Sequence, residues 1–451
     1  MSQPPASPSS SSGAPAASRF KGLHVAMISI GGIIGAGLFV GTSATIAAAG
    51  PAVLLSYLAA GIVVWLVMRL LGGLAINARG QGSFITHIAT HNGPRAAFIT
   101  GWSYAFLWAV TAGAQAVAGG MIIGRLAGVA PLWGALVLVA IAWTINRLSL
   151  RHYGQAETGL SIFKLLFLGG FIALGLGWLA LSGHPFAIAL DNITAHGGIF
   201  PKGSWAVIGA VPMIVQTFTG CEIAIIAATD SDRPLRAIAH TMRRLPLQVL
   251  FFYAGSVLVI ISLLPWNGVH VGQSPFLSVL EYLRVPLARY AAIAVTLVAV
   301  LSCLNSAVYV VSRTLRELAD LRLAPQKLTE ETDRQVPIWS LRLTTLLELA
   351  VIAAAIGSPE TLYPVLLGSS GGLILFIYFM IAIAYWLWAR QSQTATALPL
   401  AKGLAVLIPV LGAILLILPS ARGDALLSLV VILLLTLTSL TFITRRCLNR
   451  A

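Results

Sequence analysis

The sequence predicts an all-α integral membrane protein of about twelve transmembrane helices. Three observations lead there. Of the 451 residues, 58% are hydrophobic and 9% charged, against about 25% charged in an ordinary soluble domain. The mean hydropathy is +0.90. The apolar residues also fall into runs of near-regular spacing, each close to the roughly 20 residues that a helix needs to cross a bilayer. These features exclude a soluble globular protein. The net charge of +14 would suggest a nucleic-acid partner in a soluble chain, but here the basic residues are distributed between the runs and no such partner is expected.

Taken in order, residues 1–20 are rich in Ser, Pro and Ala without periodicity and read as a disordered, uncleaved cytoplasmic tail. Twelve apolar runs follow, at about 23–48, 52–77, 97–127, 131–147, 157–181, 204–228, 245–265, 285–312, 338–356, 362–388, 402–419 and 424–444. With the N-terminus inside, alternate turns gather Arg79 and Arg95, Arg147 and Arg151, Arg233, Arg236, Arg243 and Arg244, the stretch from Arg313 to Arg342, and Arg390 with Lys402. The other side holds only Arg125, Lys202, Arg284, Arg289 and Arg422. This bias sets both termini in the cytoplasm. Trp133, Trp178, Trp205, Trp266, Trp386 and Trp388 fall near run ends, as interfacial anchors do. In the polar stretch 314–337, Leu315, Leu318 and Leu321 before Pro325 predict a short amphipathic helix on the cytoplasmic face. Cys221, Cys303 and Cys447 have no paired spacing, so neither a disulfide framework nor a metal site is implied. The eight histidines are not at metal spacing either.

Two runs carry the unusual chemistry. The first reads MISIGGIIGAGLFVG, with Gly31, Gly32, Gly35, Gly37 and Gly41 in one apolar segment. Close helix packing through small residues is one reading. The other is a discontinuous helix whose freed amides and carbonyls near the midplane hold a small zwitterion. The sixth run contains Gln216-Thr217-Phe218-Thr219-Gly220-Cys221-Glu222, a carboxylate beside a glycine. A mid-membrane carboxylate costs about 2.5 to 3.5 kcal/mol on insertion scales, so Glu222 must meet a partner or water, as a structural pair or as a titrating group. An odd number of spans separates the two breaks, which makes an inverted repeat of spans 1–5 and 6–10 the natural architecture, with spans 11 and 12 appended. The repeats would run from about 21 to 182 and 203 to 390, with accessory helices at about 401–445, all in one domain from 21 to 451.

Lys164 is the one lysine well inside a run, seven residues beyond Glu157. It is either a snorkelling side chain or a fixed ammonium in place of a coupling cation. Arg69 and Glu348 read as structurally paired or snorkelling charges, and Ser369 to Gly372 as small-residue packing or a soft point in span 10.

At SIGGIIGAGLFVG, the 47–72 segment, GSF at 82–84, FITGW with Tyr104 and Trp108, GCE at 220–222, AATDSDRP at 227–234, LLPWN at 263–267, SCLNSAVYVVSR at 302–313, LAP at 323–325 and SSG at 369–371, the chain resembles the amino-acid transporter family of the amino acid, polyamine and organocation superfamily. Within it the likeness is to 4-aminobutyrate permeases. The resemblance implies a LeuT-like fold in the cytoplasmic membrane, no cofactor, and proton-coupled import of a small zwitterionic amino acid. By motif position, Ile33, Gly35, Ala36 and Gly37 on span 1, and Gln216, Phe218, Thr219 and Gly220 on span 6, would bind the substrate's charged ends. Glu222 matches the family's span-6 glutamate, and Lys164 the span-5 lysine that is similar in place to a sodium site. One departure stands out: Leu71-Gly72-Gly73-Leu74-Ala75 lacks the carboxylate that the family commonly carries in span 2. Exchange of amino acids, or a permease for alanine, serine, glycine or proline, are neighbouring readings, and a non-transporting sensor is a more distant one. Nothing in the spans has the residue pattern of an enzyme.

Overall fold

The computed structural model describes residues 22–78, 82–148, 150–229, 234–271, 273–355, 359–392, 397–419 and 421–448. The tail at 1–20 and the turn residues Arg79 and Arg233 lie outside them. Nine helices among the described residues are long and apolar enough to cross a membrane, and three shorter apolar ones, His24–Ile33, Pro131–Arg147 and Trp205–Thr217, accompany them. Together they account for all twelve runs. The described residues form no sheet, only an isolated bridge between Glu331 and Pro337.

Span 1 is interrupted: Gly22–Ile33 stops, and the chain restarts as Ala36–Phe39 and Gly41–Ala49. Span 6 is likewise split into Trp205–Thr217 and Ile223–Thr229. The other spans are continuous: Val53–Asn77 (span 2), Pro94–Ala127 (3), Pro131–Arg147 (4), Leu150–Leu181 (5), Pro234–Leu263 (7), Ala288–Asp320 (8), Ile338–Ala355 (9), Pro359–Gln391 (10), Leu398–Ile417 (11) and Arg422–Leu448 (12). Span 3 packs mainly on spans 4 and 8, and span 2 mainly on span 7. The first half of span 1 lies against spans 5, 7 and 8 and the second half of span 6. Both breaks therefore sit inside the bundle, the one place where backbone out of helical register survives at membrane depth.

Two sequence expectations are corrected in detail, and a third left open is decided. Span 5 starts at Leu150 rather than near 157, which carries Glu157 into the interior, where it is fully buried. The amphipathic helix expected after residue 314 is not separate, because span 8 runs on to Asp320 with Leu315 and Leu318 buried. Leu318 packs onto Gly101 of span 3 beside Ile85 of the short helix Phe84–Asn92, and Glu317 accepts hydrogen bonds from the Ser83 amide (3.0 Å) and the Thr86 hydroxyl (2.6 Å) at the start of that helix. Span 10 continues through Ser369 to Gly372 without a break, and Gly371 packs so tightly on span 6 that a Cβ there would lie 2.7 Å from the Pro212 carbonyl oxygen. That run serves packing. Arg69 is exposed, with its guanidinium over the Trp65 ring at 5.1 Å. Glu348 is buried, and its Oε1 has no hydrogen-bond partner among the described residues.

Candidate functional site

Glycine decides where both helices open. Gly35 takes an extended conformation (φ −123°, ψ −160°) that ends the helical register of span 1. In span 6, Gly220 has φ +120°, a backbone region that costs other residues heavily. It also leaves no room for a side chain, since a Cβ would stand 3.1 Å from the Ile33 amide nitrogen. The two breaks thus meet main chain to main chain.

Opening a helix strands backbone polar groups, and each must find a partner in a dry bundle. At span 1 four consecutive carbonyls are taken by side chains from three different spans. Lys164 Nζ donates to the Gly31 and Ile34 oxygens, both at 2.9 Å. The Cys303 thiol donates to Gly32 O at 3.2 Å, and the Tyr253 hydroxyl reaches Ile33 O at 3.0 Å. Tyr253 also stands 3.0 Å from Thr217 O, the last helical residue before the span-6 break. One phenol therefore joins the two openings. The Ala36 amide, at the restart of span 1, donates to Gln115 Oε1 at 3.0 Å.

Lys164 is fully buried, so it does not snorkel. Its third contact is the Ser302 hydroxyl at 2.8 Å, and the three donors of an ammonium are matched by three acceptors. Glu222, also fully buried, turns its Oε1 back to the Gly220 amide (3.1 Å) and to the Tyr104 hydroxyl (3.0 Å). It stands just before Ile223–Thr229, where the free helix amides favour a carboxylate. Among the described residues its Oε2 has no hydrogen-bond partner.

Beside the breaks lies a cavity of about 90 Å³, bounded by Ile33, Gly35, Gly37, Gln216 and Thr219 among the expected residues. Such a volume is small against the roughly 300 to 1,000 Å³ of drug-sized pockets, and suits a ligand of few heavy atoms. The other three expected residues do not line it. Ala36 is buried with its amide spent on Gln115; Phe218 packs its ring on Tyr253 at 5.2 Å; Gly220 faces Ile33. Sequence reasoning assigned no role to Gln115, Thr111, Ser43 and Thr217, which supply most of the remaining polar wall. Gln115 had a signal, being the one amide side chain in the third run. Among the described residues, no acidic or basic one lines the cavity. Its walls include Ser43, Ala44 and Met213, from the second half of span 1 and the first half of span 6, so it extends toward that face of the bundle. At the other end Ile223, Ala224 and Ile225 are buried.

The profile of the amino acid permease family matches residues 24–421. The chain belongs to that family. This permease is 34% identical over 365 residues to the gamma-aminobutyric acid permease of Bacillus subtilis strain 168, covering 80% of this chain and 77% of that one. It is 35% identical over 370 residues to the gamma-aminobutyric acid permease of Escherichia coli K12, covering 81% and 79%. Among solved structures it is similar to a sodium-coupled sialic acid symporter in a substrate-bound, outward-open state, with a TM-score of 0.54 over 88% of this chain and 90% of that one. At 13% identity that likeness concerns the fold alone, and the permease has the LeuT-like architecture of its superfamily. The missing span-2 carboxylate also has a local explanation. A Cβ on Gly73 would lie 3.0 Å from Tyr385 Cε2, so the tyrosine ring fills the space where a longer side chain would start.

Proposed function

We infer that this permease imports a small zwitterionic amino acid, with 4-aminobutyrate the first candidate, across the cytoplasmic membrane together with protons. The observation that carries the reading is the cavity beside the two breaks, bounded by the opened main chain, by apolar side chains such as Ile33, Trp108 and Met213 and by neutral polar ones, with no charged residue among the described residues. A ligand of zero net charge meets no unpaired charge there. Backbone amides at the restart of span 1 suit its carboxylate, and the second lone pairs of carbonyls at the breaks its ammonium. The names of the two bacterial relatives favour 4-aminobutyrate.

Proton rather than sodium coupling is supported by Lys164, whose ammonium already occupies the carbonyl oxygens of Gly31 and Ile34. A fixed cation there leaves no place for a bound one. The Glu222 carboxyl, with one oxygen free, is a second group in reach of the span-6 break. In this reading both termini are cytoplasmic, the repeats follow the boundaries expected from the sequence, and the cavity opens outward.

Uptake of labelled 4-aminobutyrate into a permease-deficient bacterium, with unlabelled alanine, serine, glycine and proline as competitors, tests it. Expected are competition by the true substrate, faster uptake at acidic external pH, collapse with a protonophore and indifference to sodium. Sodium-dependent uptake would overturn the coupling, and transport only by cells preloaded with amino acid would make the protein an exchanger. Reporter fusions after Ala49 should read external and after Asn92 cytoplasmic; the reverse would invert the topology.

A further inference from the structure

Glu157 and Lys164 are both fully buried on span 5, seven residues apart, and so lie on one face two turns from each other. What stands between them is Ser302 of span 8. Its hydroxyl accepts from Lys164 Nζ at 2.8 Å and donates to Glu157 Oε1. The other carboxylate oxygen accepts from Asn305 Nδ2 at 2.7 Å, and Asn305 Oδ1 is fixed in turn by Asn146 Nδ2 of span 4 at 2.9 Å. Both carboxylate oxygens are thus occupied by donors from span 8, and the carboxylate presses against span 1, where a Cβ on Gly31 would collide with it. The chain of donors from Nζ through Oγ to Oε1 is continuous.

We propose that Glu157 is the proton partner of Lys164, exchanging a proton with it through the Ser302 hydroxyl. The proposal rests on the proton-coupled reading above. In the step, a Lys164 N–H bond breaks as its proton forms a new O–H bond on Ser302. The original Ser302 O–H bond breaks as that proton forms an O–H bond on Glu157 Oε1. Lys164 ends as a neutral amine and Glu157 as a neutral acid, so the pair holds the same net charge before and after. No unpaired charge appears in the bundle at any stage.

The transfer also changes what Lys164 can hold. An ammonium has three N–H donors for its three acceptors, the Gly31 and Ile34 carbonyls and Ser302; an amine has two. Those two stay on the Gly31 and Ile34 carbonyls while the amine's lone pair accepts from Ser302, so the bonds to the break in span 1 lose their charge assistance and weaken roughly twofold, which links proton movement to the segment that bounds the cavity. The titratable groups that interact with the pair are Tyr153 on span 5 and Cys303 on span 8, with Arg313 of span 8 facing Tyr153 in turn. Tyr153 shares its environment with Tyr309, their rings stacked at 4.7 Å. The side-chain hydrogen bonds to Glu157 come from Ser302 and Asn305, with the Ser306 hydroxyl of the same span also in reach.

The test uses the full-length protein in proteoliposomes, comparing accumulation of 4-aminobutyrate driven by a pH gradient with counterflow exchange, which moves no net proton. Glu157→Gln keeps the size and one acceptor oxygen but cannot exchange the proton. The ratio of accumulation to exchange should fall tenfold or more. Ser302→Ala should lower the ratio in the same way, and Ser302→Thr, which restores the hydroxyl, should recover it. These two serine variants decide the matter if Glu157→Gln fails to fold. Wild-type protein that does not accumulate substrate under a pH gradient would remove the proton-coupled reading and the relay with it. Wild-type accumulation together with an undiminished ratio in Glu157→Gln, or in Ser302→Ala, would remove the relay alone.

Discussion

Gly37 separates a binding glycine from a packing one. A Cβ at this position would meet only Thr217 Cγ2, at 3.6 Å, an ordinary van der Waals distance, and the residue borders the cavity. Leucine adds three further carbon groups beyond Cβ, each about the size of a water at ~30 Å³, which together match a cavity of about 90 Å³. Gly37→Leu should therefore abolish binding of labelled 4-aminobutyrate and its uptake. Folding should not suffer, because replacing glycine in a helical segment favours the helix by roughly 0.5 to 1 kcal/mol. Gly37→Ala introduces one methyl group; overpacking of about 1 to 3 kcal/mol against the ligand converts to roughly 5- to 150-fold weaker binding. The comparison is Gly35→Ala, whose Cβ would stand 2.8 Å from both Cβ and Sγ of Cys303. That clash must shift the break itself, so the lesion should appear as lower thermal stability in detergent. The assay pairs equilibrium binding with size-exclusion profiles and thermal midpoints for the three variants. Normal affinity in Gly37→Leu would refute the placement of the substrate, and an unstable Gly37→Ala would show that the position serves packing.

Three further outcomes are expected. Tyr253→Phe keeps the ring but removes the hydroxyl shared by Ile33 O and Thr217 O, and should cost about 1 to 3 kcal/mol of stability. Unchanged thermal stability of that variant would show that the phenol does not tie the breaks together. A membrane-impermeant thiol reagent should reach Cys303, which lines the cavity, and block uptake, with saturating substrate protecting; Cys221 is fully buried and does not line it. Cys303→Ser should then be insensitive and Cys221→Ser as sensitive as the wild type, and the reverse pattern would misplace the pathway. In the short helix after span 2, burial pushes the His87 imidazole down to about 4, with His91 adding repulsion. An undocked His87 takes up a proton near pH 6.5, which the docked one refuses until about pH 4. Docking is therefore at full strength above 6.5 and weakens as the pH falls, by roughly 2 kcal/mol at pH 5. Hydrogen exchange of Phe84–Asn92 in detergent should speed up between pH 7.5 and 5 after correction for intrinsic rates, with His87→Leu abolishing the difference; equal protection at both values would contradict it.

The breaks in spans 1 and 6 were legible because five glycines crowd one apolar run and a mid-membrane carboxylate is costly, although glycine pairs also sit in unbroken spans such as 2 and 3. The surroundings of the breaks were not. Glu157 looked like the edge of a run because its hydrogen-bond partners, Ser302 and Asn305, belong to a distant part of the chain. Tyr253 is one tyrosine among several until the fold brings it between two carbonyls. Leu315 and Leu318 carry the spacing of a helix lying on lipid, yet the same spacing serves a helix covered by protein, and only Glu317 holding Ser83 and Thr86 decides between them. Gly371 was ambiguous for a similar reason, since close packing and helix softening both call for small residues.

Main-chain recognition of the substrate, as proposed above, has a consequence for how such a protein drifts. An amide and a carbonyl persist through almost any point substitution, proline and bulky intruders excepted, so the contacts made by the opened backbone at Gly35 and Gly37 are insulated from most mutations. The cavity's middle is bounded instead by exchangeable side chains such as Thr111, Met213 and Thr217. Descendants of one ancestor can therefore change the length and shape of the molecule they accept while the handling of its two charged ends stays constant. Divergence in diet requires no reinvention of the grip.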